Sequence, residues 1–71
     1  MDHLTQRNAI LEHLRNKGSI TTLEAVLELH IMDSRKRISE LRRDGHDIPD
    51  EWETSKAGKR YKRYFGHNLA V

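Results

Sequence analysis

The only proline of the chain, Pro49, separates two stretches with different patterns of apolar residues. Before it, aliphatic residues such as Ile10 and Leu14 recur three or four positions apart, which is the spacing of one helix face. After it, EWETSKAGKRYKRYF mixes aromatic, Thr and charged residues around Ala57-Gly58, which is typical of two strands joined by a tight turn. The sequence therefore predicts helices followed by a C-terminal hairpin.

The first helix has both a start signal and a stop signal. Thr5 is placed to cap its N-terminus, with Leu4 packing onto Ala9, and Gly18 can adopt the left-handed conformation that ends it. A short extended piece, Ser19-Ile20, follows.

The second and third helices are delimited in the same way, so that three helices fit into the first 45 residues. Thr21 and Glu24, three residues apart, form a capping-box pattern that begins the second helix. Asp33 or Ser34 caps the third, and Gly45 ends it. The second helix has a broad apolar face made of Leu23, Val26, Leu27 and Leu29.

The pairing of the two strands depends on the length of the turn between them. With a turn of two residues, Lys56 faces Lys59, and this register decides which side chains share a face because they alternate along a strand. The face expected to be buried carries Trp52, Thr54, Tyr61, Arg63 and Phe65. The outer face carries Glu51, Glu53, Ser55, Arg60, Lys62 and Tyr64.

Size and composition limit the class of protein. Seventy-one residues without cysteine form one small domain with no disulfide and no thiolate metal site. No apolar run is long enough for a signal peptide or a membrane span. We expect a single domain over residues 1–71, ordered from about 5 to 65, in the cytoplasm and without a membrane partner.

Positive charge is concentrated in one half of the chain. Residues 1–34 contain three Lys or Arg and five Asp or Glu, a balance of −2. Residues 35–71 contain ten and six, a balance of +4. Basic residues cluster on the third helix and near the hairpin tip, which indicates an anionic partner.

The third helix separates an apolar side from a basic one. At 100° per residue, the side expected to face the core carries Ser34, Ile38, Leu41 and Gly45. The opposite side carries Lys36, Ser39, Glu40 and Arg43, with Arg35 and Arg42 on one flank and Arg37 on the other.

Three helices followed by a two-stranded β-hairpin, with a short turn between the second and third helices, form an α+β winged helix-turn-helix. We expect the third helix to read the major groove of double-stranded DNA and the wing to contact phosphates, because the planar fork of arginine suits both ligands. The residues expected to contact DNA are Ser34, Arg35, Lys36, Ser39, Arg42, Arg43, Lys56, Lys59, Arg60 and Lys62. One such domain covers little DNA, so useful affinity would require self-association or cooperative binding.

Two alternatives stay open. The basic face of the third helix could be a solvated surface on which Glu40 and Asp44 pair with neighbouring cations. The domain could also bind a protein, docking on a host or phage enzyme as a competitor of nucleic acid. Steep salt dependence of duplex binding would distinguish DNA binding from protein binding. Each neutralised phosphate adds about −0.9 to the slope of the logarithm of the binding constant against the logarithm of the salt concentration.

Other chemistry is weakly supported by the sequence. The five histidines share no helix face with one another at i, i+4, so we expect no metal site, and no cofactor or small-molecule ligand is evident. Glu53 and Lys56 fall on opposite sides of a strand, which disfavours a metal-dependent nuclease site. The serines lack a His and carboxylate pattern for an activated nucleophile. We therefore expect a protein that is not an enzyme.

Three segments carry a family resemblance: ILEHLRNKGSITTLEAVLELHI, RISELRRDGHDI and GKRYKRY. They resemble the small winged helix-turn-helix proteins of phage and prophage genomes, some of which are similar to excisionases or repressors. The resemblance implies the three-helix and wing fold and a role in binding phage or host DNA, such as transcription regulation. The chain departs from the family at His30, where Gly is common, so that His30 would have to adopt a left-handed conformation. It also departs at Asp33-Ser34-Arg35, where the helix start is often more apolar.

Overall fold

The computed structural model describes residues 2–69 and contains three helices and three strands. In chain order these are α1 (His3–Lys17), β1 (Ser19–Thr21), α2 (Thr22–Leu29), α3 (Ser34–Arg43), β2 (Asp50–Thr54) and β3 (Arg60–Phe65). The strands form one antiparallel sheet in the order β1-β3-β2. The prediction of a two-stranded hairpin is therefore corrected, because the extended piece at Ser19-Ile20 pairs with β3 and adds a third strand.

Helix α1 begins two residues before the predicted cap. Oδ1 of Asp2 accepts a hydrogen bond from the backbone N–H of Thr5 at 2.7 Å, so Asp2 is the N-cap and Thr5 lies within the first turn. The helix ends as predicted at Gly18, whose φ is 86° and whose N–H donates to the carbonyl of Leu14.

The capping box of α2 is confirmed. The hydroxyl of Thr21 accepts from the N–H of Glu24 at 3.1 Å, and Oε1 of Glu24 accepts from the N–H of Thr21 at 2.8 Å. The predicted apolar face, however, is only partly used. Ala25 is buried, whereas Leu23 and Leu27 are 65% and 66% exposed.

The turn between α2 and α3 contains His30 in the left-handed conformation, with φ 58° and ψ 34°. Glycine adopts this conformation more readily than other residues, which agrees with the expectation for His30. The N–H of His30 donates to the carbonyl of Val26 at 3.1 Å and closes the helix.

We predict that His30→Gly raises the free energy of unfolding by about 0.5–1 kcal/mol. A non-glycine residue in this conformation costs roughly 1–2 kcal/mol, which exceeds the extra backbone entropy that glycine loses on folding. Urea denaturation measures the change. Arg15→Gly, at an exposed position inside α1, is the control and should destabilise by about 0.5–1 kcal/mol, so a loss in both variants would contradict the prediction.

Helix α3 packs on the predicted side, with Ser34, Ile38 and Leu41 buried. Arg37 is buried as well, at 3% exposure, although the helix wheel places it on a flank. Its Nε lies 3.2 Å from Oε1 of Glu40, and the two side chains form an ion pair. The N–H at Nε does not point at that oxygen, so it makes no hydrogen bond. Arg7 of α1 contacts the same oxygen at 3.2 Å, so this carboxylate joins α1 to α3.

The hairpin turn has three residues rather than two. Ser55 and Lys59 are paired across it, since the N–H of Ser55 donates to the carbonyl of Lys59 at 2.8 Å and Oγ of Ser55 accepts from the N–H of Lys59. Gly58 takes φ 81°, as the last residue of a three-residue turn requires. The loop is therefore 56–58, and the register of β2 on β3 shifts by one residue from the predicted one.

This shift changes which residues of β2 share a face with which residues of β3, because alternate side chains point to opposite sides of a sheet. Trp52 lies on the face of Lys62 and Tyr64, whereas a two-residue turn would have placed it with Tyr61 and Arg63. Trp52 pairs with Lys62 and is 57% exposed, so the prediction that it is buried is wrong. Tyr64 is only 5% exposed, and the prediction that it faces outward is also wrong. It lies in the core opposite Ile20 of β1.

The core draws on every helix and two of the strands. Its buried members are Ile10, Leu14, Ile20, Ala25, Ile31, Ile38, Leu41, Ile48 and Tyr64. Leu69 packs against them, and Asn68 forms a bridge with Asp47. Among residues 2–69 no helix combines the length and apolar character needed to cross a membrane.

Candidate nucleic-acid interface

A cleft of about 300 Å³ lies between α3 and the face of the sheet that carries Trp52, Lys62 and Tyr64. Trp52, Arg60 and Lys62 project from this face, and Arg35 from the first turn of α3 lines the same cleft. Tyr64, on the same sheet face, forms the floor where the cleft meets the core. The two basic segments of the sequence therefore meet here.

Trp52 is held by two cations. The guanidinium carbon of Arg60 lies 4.7 Å from the ring centroid, and Nζ of Lys62 lies 5.1 Å from it. Both distances allow cation–π attraction, which orients the two side chains on the ring. The arrangement places an exposed aromatic surface beside positive charge, a combination suited to sugars, bases and phosphates.

Arg42 is used inside the domain rather than left free for a ligand. Its Nε and one terminal nitrogen donate to the carbonyl of Ile48, and that terminal nitrogen also donates to Oδ2 of Asp50 at 2.8 Å. The guanidinium carbon also lies 5.7 Å from the ring centroid of Tyr64. Arg42 thus fixes the loop between α3 and β2.

The carboxylate of Asp50 forms ion pairs with two cations, Arg42 and Lys62. The hydrogen bond from Arg42 lowers its pKa below the usual value for an aspartate, and Lys62, whose Nζ lies 3.8 Å from Oδ1, lowers it further. A lowered pKa stabilises the fold at neutral pH, and this contribution is lost as the pH falls through the native pKa. Asp50 therefore offsets part of the charge of Lys62.

Arg63 ties the sheet to α2 on the opposite face. It donates to Glu53 at 2.9 Å, to Oγ of Ser19 at 3.0 Å and to Glu24 at 3.4 Å. The hydrogen bond between Arg63 and Glu53 lowers the pKa of Glu53 and raises the pKa of Arg63. A two-residue turn would have placed Glu53 opposite Lys62, but in the observed register Glu53 stands opposite Tyr61 and pairs with Arg63 instead.

The remaining predicted contact residues differ in accessibility. Ser34 is buried and its Oγ has no hydrogen-bond partner, so its hydroxyl is not exposed as a DNA contact requires. Ser39 is exposed on α3. Within residues 2–69, no acidic side chain forms an ion pair with Arg35, Lys36, Arg43, Lys56, Lys59 or Arg60.

These six side chains are the cations of α3 and the hairpin whose charge is not neutralised by any acidic side chain that the structure describes. Arg15 and Lys17 are also exposed and have no ion-pair partner in the described part of the chain, but they lie in the last turn of α1, where basic residues favour the helix dipole. The sequence favoured a buried position for Trp52 rather than a place at this cleft. The signal for the cleft position was SKAG, in which Gly58 fits the third position of a three-residue turn.

Comparison with known families agrees with this geometry. Residues 5–68 match a family model described as a winged helix-turn-helix domain. Neither curated proteins nor solved structures gave a match. Winged helix-turn-helix domains typically bind DNA and are not enzymes, so the match suggests DNA binding. Because the matched segment spans nearly the whole sequence, the chain belongs to the winged helix-turn-helix family.

Proposed function

We propose that this protein binds double-stranded DNA, with α3 in the major groove and the hairpin on the adjacent backbone. The observation that carries the proposal is the shared cleft, in which Arg35 from α3 and Arg60 from β3 line one surface. A duplex lying along this surface would contact both elements at once.

The contacts divide by position. Arg35, Lys36, Ser39 and Arg43 follow the exposed side of α3 and are the candidates for base edges and nearby phosphates. The wing contributes the cations Lys56, Lys59, Arg60 and Lys62, of which Lys62 is partly neutralised by Asp50. Arg42 supports the interface through the loop that it holds.

Trp52 adds an apolar component to the wing. Its ring is exposed and bordered by Arg60 and Lys62, so it can pack against deoxyribose while the two cations meet phosphates on either side. This role is compatible with duplex DNA and does not require an unpaired base.

The biological setting that best fits is a phage or prophage regulator. The resemblance of RISELRRDGHDI and GKRYKRY to phage winged helix-turn-helix proteins supports it. A single domain of this size covers few base pairs, so we infer that two or more copies bind side by side or to a palindromic site.

Salt dependence of binding tests the proposal. With about five phosphate contacts, the affinity for random duplex should fall with a log–log slope of about −4 to −5, or several hundred-fold between 50 and 200 mM salt. Fluorescence anisotropy with a labelled 20-base-pair duplex measures it. The absence of duplex binding at 50 mM salt would contradict the proposal.

A protein partner is the second candidate, and the apolar surface at α2 and the turn after it favours it. Leu23, Leu27 and Met32 are exposed, and a second cleft, of about 570 Å³, lies between Leu23 and the sheet face that carries Tyr61 and Arg63. A domain that docks on a host or phage enzyme would cover such a surface. Its binding would depend on Leu23 and Leu27 and only weakly on salt.

A further inference from the structure

A second cluster of chemically active side chains lies at the contact of α1 and α2. A ring nitrogen of His13 and one carboxylate oxygen from each of Glu24 and Glu28 lie within 4.8 Å of one another. Glu24 and Glu28 are one turn apart on α2, so both carboxylates can reach the same point beside α1. None of the three residues lines the cleft between α3 and the hairpin.

His13 is the unusual member of this cluster. The side chain is 93% buried, since its exposure is 7%, and Nε2 has no hydrogen-bond partner. Buried polar atoms in native proteins are nearly always paired, because leaving one unpaired costs its full desolvation energy. A cation bound to this nitrogen would remove that cost.

The two glutamates supply negative charge and free oxygens. Oε1 of Glu24 is occupied by the N–H of Thr21 and by Arg63, which leaves Oε2 free of these contacts. Glu28 is exposed and forms no ion pair within residues 2–69. Two carboxylates at i and i+4 repel each other unless a cation lies between them.

We propose that His13, Glu24 and Glu28 bind a divalent transition-metal ion, for which Zn²⁺ is the best match. One imidazole and two carboxylates, without sulfur, provide three protein ligands and leave a fourth position for water. Tetrahedral zinc requires ligand atoms roughly 3.4 Å apart, given bond lengths of about 2.1 Å. Rotation of the exposed Glu28 side chain, with Glu24 held by Thr21 and Arg63, would shorten the present separation.

The bound ion would connect α1 to α2 and strengthen a domain with a small core. Small domains often gain stability from a structural metal, because their cores bury little apolar surface. The proposal is independent of DNA binding, since the cleft residues take no part in it.

Titration of the full chain with ZnCl₂ tests the site by three measurements. Calorimetry should show one saturable site per chain, and the melting temperature should rise by about 5–10 °C at a zinc concentration ten times Kd. Long-range ¹H–¹⁵N NMR should show that, of the five imidazoles, His13 is the one whose ring nitrogens shift. MgCl₂ at the same concentration should have little effect, because Mg²⁺ disfavours imidazole.

Variants identify the ligands without disturbing the core. Glu28→Gln changes an exposed residue and should weaken zinc binding at least about tenfold, whereas Glu12→Gln, an exposed acid on α1, should bind like the parent. Equal affinities in these two variants would overturn the proposal. So would a shift confined to another histidine, or the lack of saturable binding up to about 1 mM zinc.

Discussion

Replacing Arg35 with alanine is expected to weaken binding to a selected duplex by about 5- to 150-fold and to relax the sequence preference at one position. The basis is the 1–3 kcal/mol that a good bidentate contact contributes to base discrimination. Arg35 is the residue of α3 that shares the cleft with Arg60 and Trp52, and no carboxylate in the described chain competes for it. Lys36→Ala and Arg43→Ala should change the preference in the same manner.

The matched variant is Lys59→Ala on the hairpin. A phosphate contact carries no sequence information, so this change should weaken all duplexes alike and reduce the magnitude of the salt slope by about one. Binding-site selection followed by anisotropy on selected and random duplexes separates the two behaviours.

Arg15→Ala provides the control, because Arg15 is an exposed cation at the end of α1 with no role in the proposed interface. It should leave affinity nearly unchanged. If the α3 variants and Lys59→Ala behaved like Arg15→Ala, the assignment of the interface would be wrong even though the fold is right.

Gly66→Ala is expected to lower the free energy of unfolding by about 2–3 kcal/mol, because overpacking a close contact commonly costs this much. A Cβ atom at Gly66 would lie 2.6 Å from Cβ of Leu14 and 2.9 Å from its carbonyl oxygen. Neither atom belongs to the flexible end of a side chain, so the backbone itself must move. That movement would also strain the 2.9 Å hydrogen bond from the N–H of Gly66 to the carbonyl of Gly18.

Chemical denaturation measures this loss, and Ser39→Ala is its control. Ser39 is exposed on α3, so its truncation should change the unfolding free energy by less than about 0.5 kcal/mol. A Gly66→Ala protein as stable as Ser39→Ala would show that the chain after β3 is not held against α1 in solution.

The three helices could be predicted because their signals are local. Gly18 ends α1, the Thr21 and Glu24 pair begins α2, and His30 takes the left-handed conformation at its end. Each of these features involves residues within four positions of one another, and capping chemistry operates over that range. The start of α1 was missed because Asp2 competes with Thr5 as a cap and makes the bond.

The site could be predicted only in part. The sequence indicated which segments carry the charge, and Arg35 and Arg60 do line one cleft. It did not indicate that Arg42 and Arg63 are engaged in internal contacts, because their partners, Asp50 and Glu24, are brought to them by the fold. Charge counts along a chain do not distinguish a paired cation from a free one.

The sequence alone determined the order of helices and strands and the concentration of positive charge after residue 34, because both follow from short-range patterns. The tertiary structure decided which side of the hairpin meets α3. One additional residue in the turn at 56–58 places Trp52 on the same sheet face as Tyr64, and on that face Tyr64 is buried whereas Trp52 is exposed. The physical reason is the two-residue period of a strand, by which a shift of one position regroups the side chains of the two strands, while their burial depends on tertiary neighbours such as Ile20 of β1 opposite Tyr64.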